Sequence, residues 1–109
     1  MLEKTKLIAQ LCNNICTENV FDIQRLSLNY GLSERYIQKL FESVVGLTPR
    51  TFFNTHRFNR SLELVRSSDL HLTSIAYDCG YYDQAHFIRE FRKFTGITPS
   101  EARPLSVNS

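Results

Sequence analysis

An all-α fold follows from three features of the 109-residue sequence. Apolar residues recur at helical spacing along the chain, no run sustains the alternation of a half-buried strand, and glycines and prolines punctuate the periodic segments. The length suits about one domain. With 42% hydrophobic and 22% charged residues, the chain has the composition of a folded domain rather than a disordered one.

The elements can be taken in order. A first helix is expected over about 3–17, with Ile8, Leu11, Cys12 and Ile15 on one face. A short second helix spans about 22–30 and stops at Gly31. Ser33 caps a third, to about 45, closed by Gly46. Thr48 and Pro49 open a long fourth helix, the threonine at the N-cap and the proline at the first helical position, ending near Arg66. Ser67, Ser68 and Asp69 make a polar break. A fifth helix is expected over about 73–79, and a sixth, capped by Asp83, to about 95. Thr98-Pro99-Ser100-Glu101 has the form of a capping box and starts a short seventh.

The chain also repeats itself. Leu26, Ser27 and Gly31 match Ile75, Ala76 and Gly80 at an offset of 49 residues. One extra residue in the second turn (Tyr82) makes the offset 50, at which Ile37, Phe41, Gly46, Thr48 and Pro49 match Phe87, Phe91, Gly96, Thr98 and Pro99. Two short helices joined by a tight glycine turn form a helix-turn-helix, so the sequence reads as two copies of that motif. The expected organisation is a single domain over 1–109: subdomain one at about 1–47, a linker helix at about 48–66 and subdomain two at about 67–109.

The second helix of each copy carries two stripes. In the third helix Ile37, Leu40, Phe41 and Val44 form an apolar stripe suited to a core, opposite Arg35, Gln38, Lys39 and Glu42. In the sixth helix Phe87, Phe91 and Phe94 form the inward stripe, with Gln84, His86, Arg89, Arg92 and Lys93 outward or flanking. Arginine and lysine match the acceptors on the guanine edge and glutamine the adenine edge, so these polar stripes have the chemistry of base readout as well as that of a plain solvated face.

Charge adds to this only locally. The net charge is +2, but nine of the thirteen cations are arginine, and residues 34–66 carry six basic against three acidic side chains. That suits phosphate and base-edge contacts. The three cysteines and three scattered histidines lack the spacing of a zinc site, and Cys12 and Cys16, one helical turn apart, are too distant for an unstrained disulfide. Reduced, buried thiols are expected, and no metal or cofactor. No apolar run reaches the ~20 residues that cross a bilayer, and the start has no signal-peptide layout, so a cytoplasmic protein without a membrane partner is expected. The nucleophile elbow, phosphate loop and His-Glu-x-x-His patterns of enzymes do not occur.

From about Asp22 to Arg103 the sequence resembles the DNA-binding domain of the AraC/XylS family of bacterial transcription regulators. The resemblance is carried by Ile75-Ala76, Gly80-Tyr81, Phe87, Arg89, Phe91, Lys93, Gly96, Thr98-Pro99 and Arg103. In the first half it is carried by Leu26, Gly31-Leu32-Ser33, Leu40-Phe41, Gly46-Leu47-Thr48-Pro49 and Arg57. It implies seven helices in two helix-turn-helix subdomains joined by a linker helix, each recognition helix entering the major groove of double-stranded promoter DNA.

By position, Arg35, Gln38 and Lys39 resemble the family's base-contacting places in the first motif, and Gln84, Ala85, His86 and Arg89 those in the second. Ser27 and Ser61 stand where alanine is usual, and Ala85 where a polar residue is common; its methyl group suits thymine. Arg60, Arg92 and Lys93 are phosphate candidates, as are the helix starts at Ser33 and Thr48 through their backbone amides. Arg57 has two readings, anchoring the linker helix by pairing with an acid or binding phosphate. RNA polymerase is a further candidate partner, and the resemblance implies an N-terminal effector-binding or dimerisation domain in a longer protein. The chain then reads as an excised C-terminal domain rather than a stand-alone regulator. A helical interaction module contacting the transcription machinery is the alternative that the same polar stripes allow.

Overall fold

The computed structural model describes residues 2–104; Met1 and residues 105–109 of the expected domain lie outside that range. Among the described residues there are seven helices and no strand: α1 (Leu2–Thr17), α2 (Ile23–Tyr30), α3 (Glu34–Val44), α4 (Pro49–Ser67), α5 (Leu72–Asp78), α6 (Gln84–Thr95) and α7 (Pro99–Ala102). The chain divides into two compact units, with the boundary between His56 and Arg57 inside α4.

The first unit is built by α1, α2, α3 and residues 49–56. Ile8, Leu11 and Ile15 of α1 meet Leu26 of α2, Ile37, Leu40 and Phe41 of α3, and Phe53 of α4 in one buried cluster. The helical spacing of these residues produces the cluster, since each amphipathic helix has only one apolar stripe to bury. Phe41 and Phe52 meet edge to face at 5.7 Å, and Phe21 lies 5.8 Å from Phe53. The second unit uses residues 57–67 with α5, α6 and α7. Phe58 and Val65 pack with Ile75, Ala76, Cys79, Tyr81, Phe87 and Phe91. Its core is more aromatic: Phe58 touches Phe91 at 5.5 Å and stacks on Phe94 at 4.4 Å, and Phe87 lies 5.9 Å from Phe91.

The repeat in the sequence is a repeat in hydrogen bonding. Leu32 N donates to Ser27 O at 3.2 Å, and the matching Tyr81 N donates to Ala76 O at 3.0 Å. These bonds close the first helix of each motif in a Schellman-type turn. Such a turn needs a left-handed residue, and Gly31 (φ 64°) and Gly80 (φ 85°) supply it. Ser27 fits where its counterpart is alanine because its hydroxyl donates to the Leu32 carbonyl within the same turn. Pro49 and Pro99 are both buried, and Thr48 and Thr98 accept from the amides of Thr51 and Glu101 at 3.1 and 3.2 Å. Only α7 completes the capping box, through the Glu101 side chain. That hydrogen bonding holds the Glu101 carboxyl below its ordinary pKa.

The fifth helix, expected over about 73–79, is Leu72–Asp78, with His71 at the N-cap and no side-chain cap bond. Two local expectations need correction. Val44, expected in the core stripe of α3, is 50% exposed, because the buried cluster ends one turn earlier at Phe41. Phe94 is 44% exposed and reaches the core only by stacking on Phe58.

No atom lies within 4 Å of a Cβ built on Gly31, so its replacement tests backbone conformation alone. Gly31→Ala is expected to cost about 1–2 kcal/mol and Gly31→Asn less, because asparagine tolerates the left-handed region. Urea unfolding midpoints of the two variants, with the same m-value, check this.

Candidate nucleic-acid interface

In the first unit the cap sets which side chains are offered to a partner. Ser33 Oγ accepts from Tyr36 N at 3.0 Å and fixes the start of α3. With Ile37, Leu40 and Phe41 buried on one side, Arg35, Gln38 and Lys39 are left exposed on the other. Ser33 and Thr48, at the starts of α3 and α4, are exposed as well. Tyr36, which lies outside the polar stripe, is partly exposed and lines an open groove with Lys39. Its signal was present as an aromatic residue adjoining the polar stripe, three positions before Lys39.

The second unit treats its matching residues differently. Asp83 Oδ1 accepts from His86 N at 2.8 Å and caps α6. Gln84 Oε1 accepts from Thr73 Oγ1 of α5 at 2.9 Å, so this exposed side chain is tied to the first helix of its motif. His86 is half-buried: Nδ1 accepts from Tyr82 N at 3.3 Å and the ring meets Tyr81 edge-on at 5.2 Å. One ring nitrogen is therefore committed to the turn, and the other is left for an outside partner. Ala85, Arg89, Arg92 and Lys93 are exposed. Arg92 and Lys93 occupy the last turn of α6, where the helix dipole favours cations. Arg60 is exposed on α4.

Arg57 is not on that surface. Its guanidinium makes a two-point pair with Glu90 of α6, Nη2 to Oε2 at 2.9 Å and Nε to Oε1 at 3.3 Å. The two side chains are 10% and 11% exposed. The guanidinium also lies over the Tyr81 ring at 4.3 Å. Of the two readings of Arg57, this pair supports anchoring: it joins α4 to α6. Tyr81 is enclosed beside this pair. Burial first, then the nearby Glu90 carboxylate, pushes its phenol well above the ordinary value, and Ser61 and Arg57 offset only part of the rise. Arg103, known from the sequence only as part of a resemblance, donates to the carbonyls of Val65 (3.2 Å) and Leu70 (2.6 Å) and secures the segment between α4 and α5.

No group of three potential metal ligands occurs among the described residues. The cysteines are free, Cys79 buried and Cys12 and Cys16 half-buried, and burial raises the pKa of each thiol. No described helix is long and apolar enough to cross a membrane.

Two helix-turn-helix units with opposed apolar and polar stripes define a class of protein, and comparison with known proteins agrees. A family model described as "Helix-turn-helix domain" matches residues 26–104. The chain belongs to this family, the AraC-type helix-turn-helix regulators. It is 33% identical over 89 residues to the HTH-type transcriptional activator RhaS of Citrobacter koseri, covering 82% of this chain and 30% of that one. The chain therefore spans about a third of the length of the curated relatives it matches. A probable AraC family transcriptional regulator from Rhodopseudomonas palustris superposes with a TM-score of 0.72 at 29% identity, covering 88% of this chain and 96% of that one. The DNA-binding domain of AdpA, solved with a target DNA, shares the fold with a TM-score of 0.77 at 23% identity, over 92% and 88% of the two chains.

The Arg57–Glu90 pair gives a stability prediction. Arg57→Ala or Glu90→Gln strands the remaining group in the interior and is expected to cost about 3 kcal/mol or more in the second unit. Arg57→Met with Glu90→Leu is expected to recover much of that loss. Chemical denaturation of the three variants measures it.

Proposed function

We propose that this chain is the sequence-specific DNA-binding part of a bacterial transcription regulator, with α3 and α6 as its recognition helices. The observation that carries the reading is the exposed polar stripe on the second helix of each motif, set opposite the buried Ile37, Leu40 and Phe41 in α3 and the buried Phe87 and Phe91 in α6. In the first unit Arg35, Gln38 and Lys39 read base edges; in the second Gln84, Ala85, His86 and Arg89 do so. Ser33, Thr48, Arg60, Arg92 and Lys93 contact phosphates and set the register. Each unit carries its own helix-turn-helix, and the two reading stripes differ, so a site without two-fold symmetry suffices. The partner is double-stranded promoter DNA in the cytoplasm, and an N-terminal domain in the longer protein binds an effector or dimerises.

A contact with the transcription machinery is a second reading with its own support. Leu28 of α2 and Tyr77 of α5 occupy the same place in the repeat, and both are 82% exposed. Large apolar side chains at equivalent exposed positions suit a protein partner such as RNA polymerase.

Two measurements test the main reading. With Arg35, Lys39, Arg60, Arg89, Arg92 and Lys93 at the DNA face, a log–log plot of affinity against salt should have a slope of roughly −5 or steeper. Helicity by circular dichroism should not change over the same range. Specific binding with a flat salt response would overturn the charge assignment.

The second measurement separates base from phosphate contacts. On a site selected from a random duplex pool, Gln38→Ala or Arg89→Ala should cost ~1–3 kcal/mol and relax preference at one or two base pairs. Lys93→Ala should weaken all sequences alike. An equal loss across a panel of point-mutated sites for Gln38→Ala would remove that residue from the base edges.

A further inference from the structure

The first unit has a groove of which the base-contact assignment uses only Lys39. It is open, about 540 Å³, and its walls come from two helices. Tyr36, Lys39, Leu40, Glu42 and Ser43 of α3 form one wall, and Lys4 of α1 the other. The two helices are packed together, so the groove belongs to the rigid body of the unit. Lys39 is shared between this groove and the stripe of Arg35 and Gln38, so the groove runs continuously into the proposed reading face.

Charge and chemistry narrow what fits. Lys4 and Lys39 are exposed, and neither forms an ion pair among the described residues, although Glu42 lies in the same groove. Tyr36 adds a partly exposed phenol. Two ammonium groups and a hydroxyl flanking a recognition helix suit phosphate oxygens, which accept hydrogen bonds from such groups and carry no base identity. Lys4 also gains nothing from its own helix. It sits near the N-terminal end of α1, where the dipole disfavours cations, while the last turn of α1 carries no basic residue. The placement adds to the positive charge beside α3 at a small cost to α1.

We infer that Lys4 of α1, with Lys39 and Tyr36 of α3, forms a seat for the sugar–phosphate backbone of the same duplex whose bases α3 reads. The inference rests on the DNA-binding reading above. It makes α1 a DNA-contacting helix of the first unit rather than only the third member of its core. Lys4 acts on every sequence alike, and Lys39 serves both backbone and base edge.

The test uses the full chain and a duplex selected from a random pool, followed by fluorescence anisotropy across a salt series. Lys4→Gln should weaken binding roughly five- to tenfold near 0.1 M salt and reduce the steepness of the log–log slope by about 0.9, the signature of one lost phosphate contact. The loss should be the same on selected and point-mutated sites, and Lys4→Arg should restore affinity and slope. Scanning single neutral methylphosphonate linkages should find one or two positions that weaken the wild-type chain but leave Lys4→Gln unaffected. Lys4→Gln with wild-type affinity and slope, while Gln38→Ala loses site preference, would overturn the backbone seat and leave the DNA reading intact. A wild-type chain with no salt-dependent duplex binding would overturn both. Circular dichroism of Lys4→Gln separates a lost contact from a lost fold.

Discussion

The angle between the two helices of each motif is the constraint on which the rest depends. It is set by a backbone bond spanning five residues, Leu32 N to Ser27 O in one unit and Tyr81 N to Ala76 O in the other. A left-handed residue must precede each donor, and a glycine does so in both units. Once the turn is closed, the second helix cannot rotate about its axis without lifting Phe41, or Phe87 and Phe91, out of the core. The stripe offered to a partner is therefore chosen by what the opposite stripe buries.

The units reach the same geometry with different interiors. The first relies on aliphatic side chains from the 16-residue α1, which cross α2 and α3. The second has an aromatic core and a nearly buried ion pair, Arg57 with Glu90, that ties α6 to α4. A buried pair adds little net stability over apolar side chains of similar volume, but it admits few alternative arrangements.

This difference extends to the exposed polar faces of α3 and α6. Gln84 and His86 are hydrogen-bonded within their own motif before any partner arrives, through Thr73 and the Tyr82 amide. These bonds restrict their side chains more than those of Arg35, Gln38 and Lys39, which stand exposed on α3, are restricted. Arg35, Gln38 and Lys39 are all long side chains, whereas among the matching residues of α6 Gln84 and His86 are held within the motif and Ala85 adds only a methyl group.

Periodicity, caps and the internal repeat determined the seven helices, the two motifs and the stripe each helix would expose, because these depend on residues within a few positions of one another. Ser33, Thr48, Asp83 and Thr98 cap where the sequence placed them, since an N-cap needs only its own side chain and an amide two or three residues on. What tertiary structure alone decided concerns partners far apart in the chain. Arg57 lies 33 residues from Glu90, and Arg103 lies 38 from the Val65 carbonyl, so no local pattern could say which arginine anchors the fold and which faces outward. Val44 keeps the helical period yet lies beyond the reach of the core, because periodicity gives a direction but not the extent of the surface facing it. Lys4 shares a groove with α3 for the same reason: helix packing, not sequence spacing, brings residues 4 and 39 together.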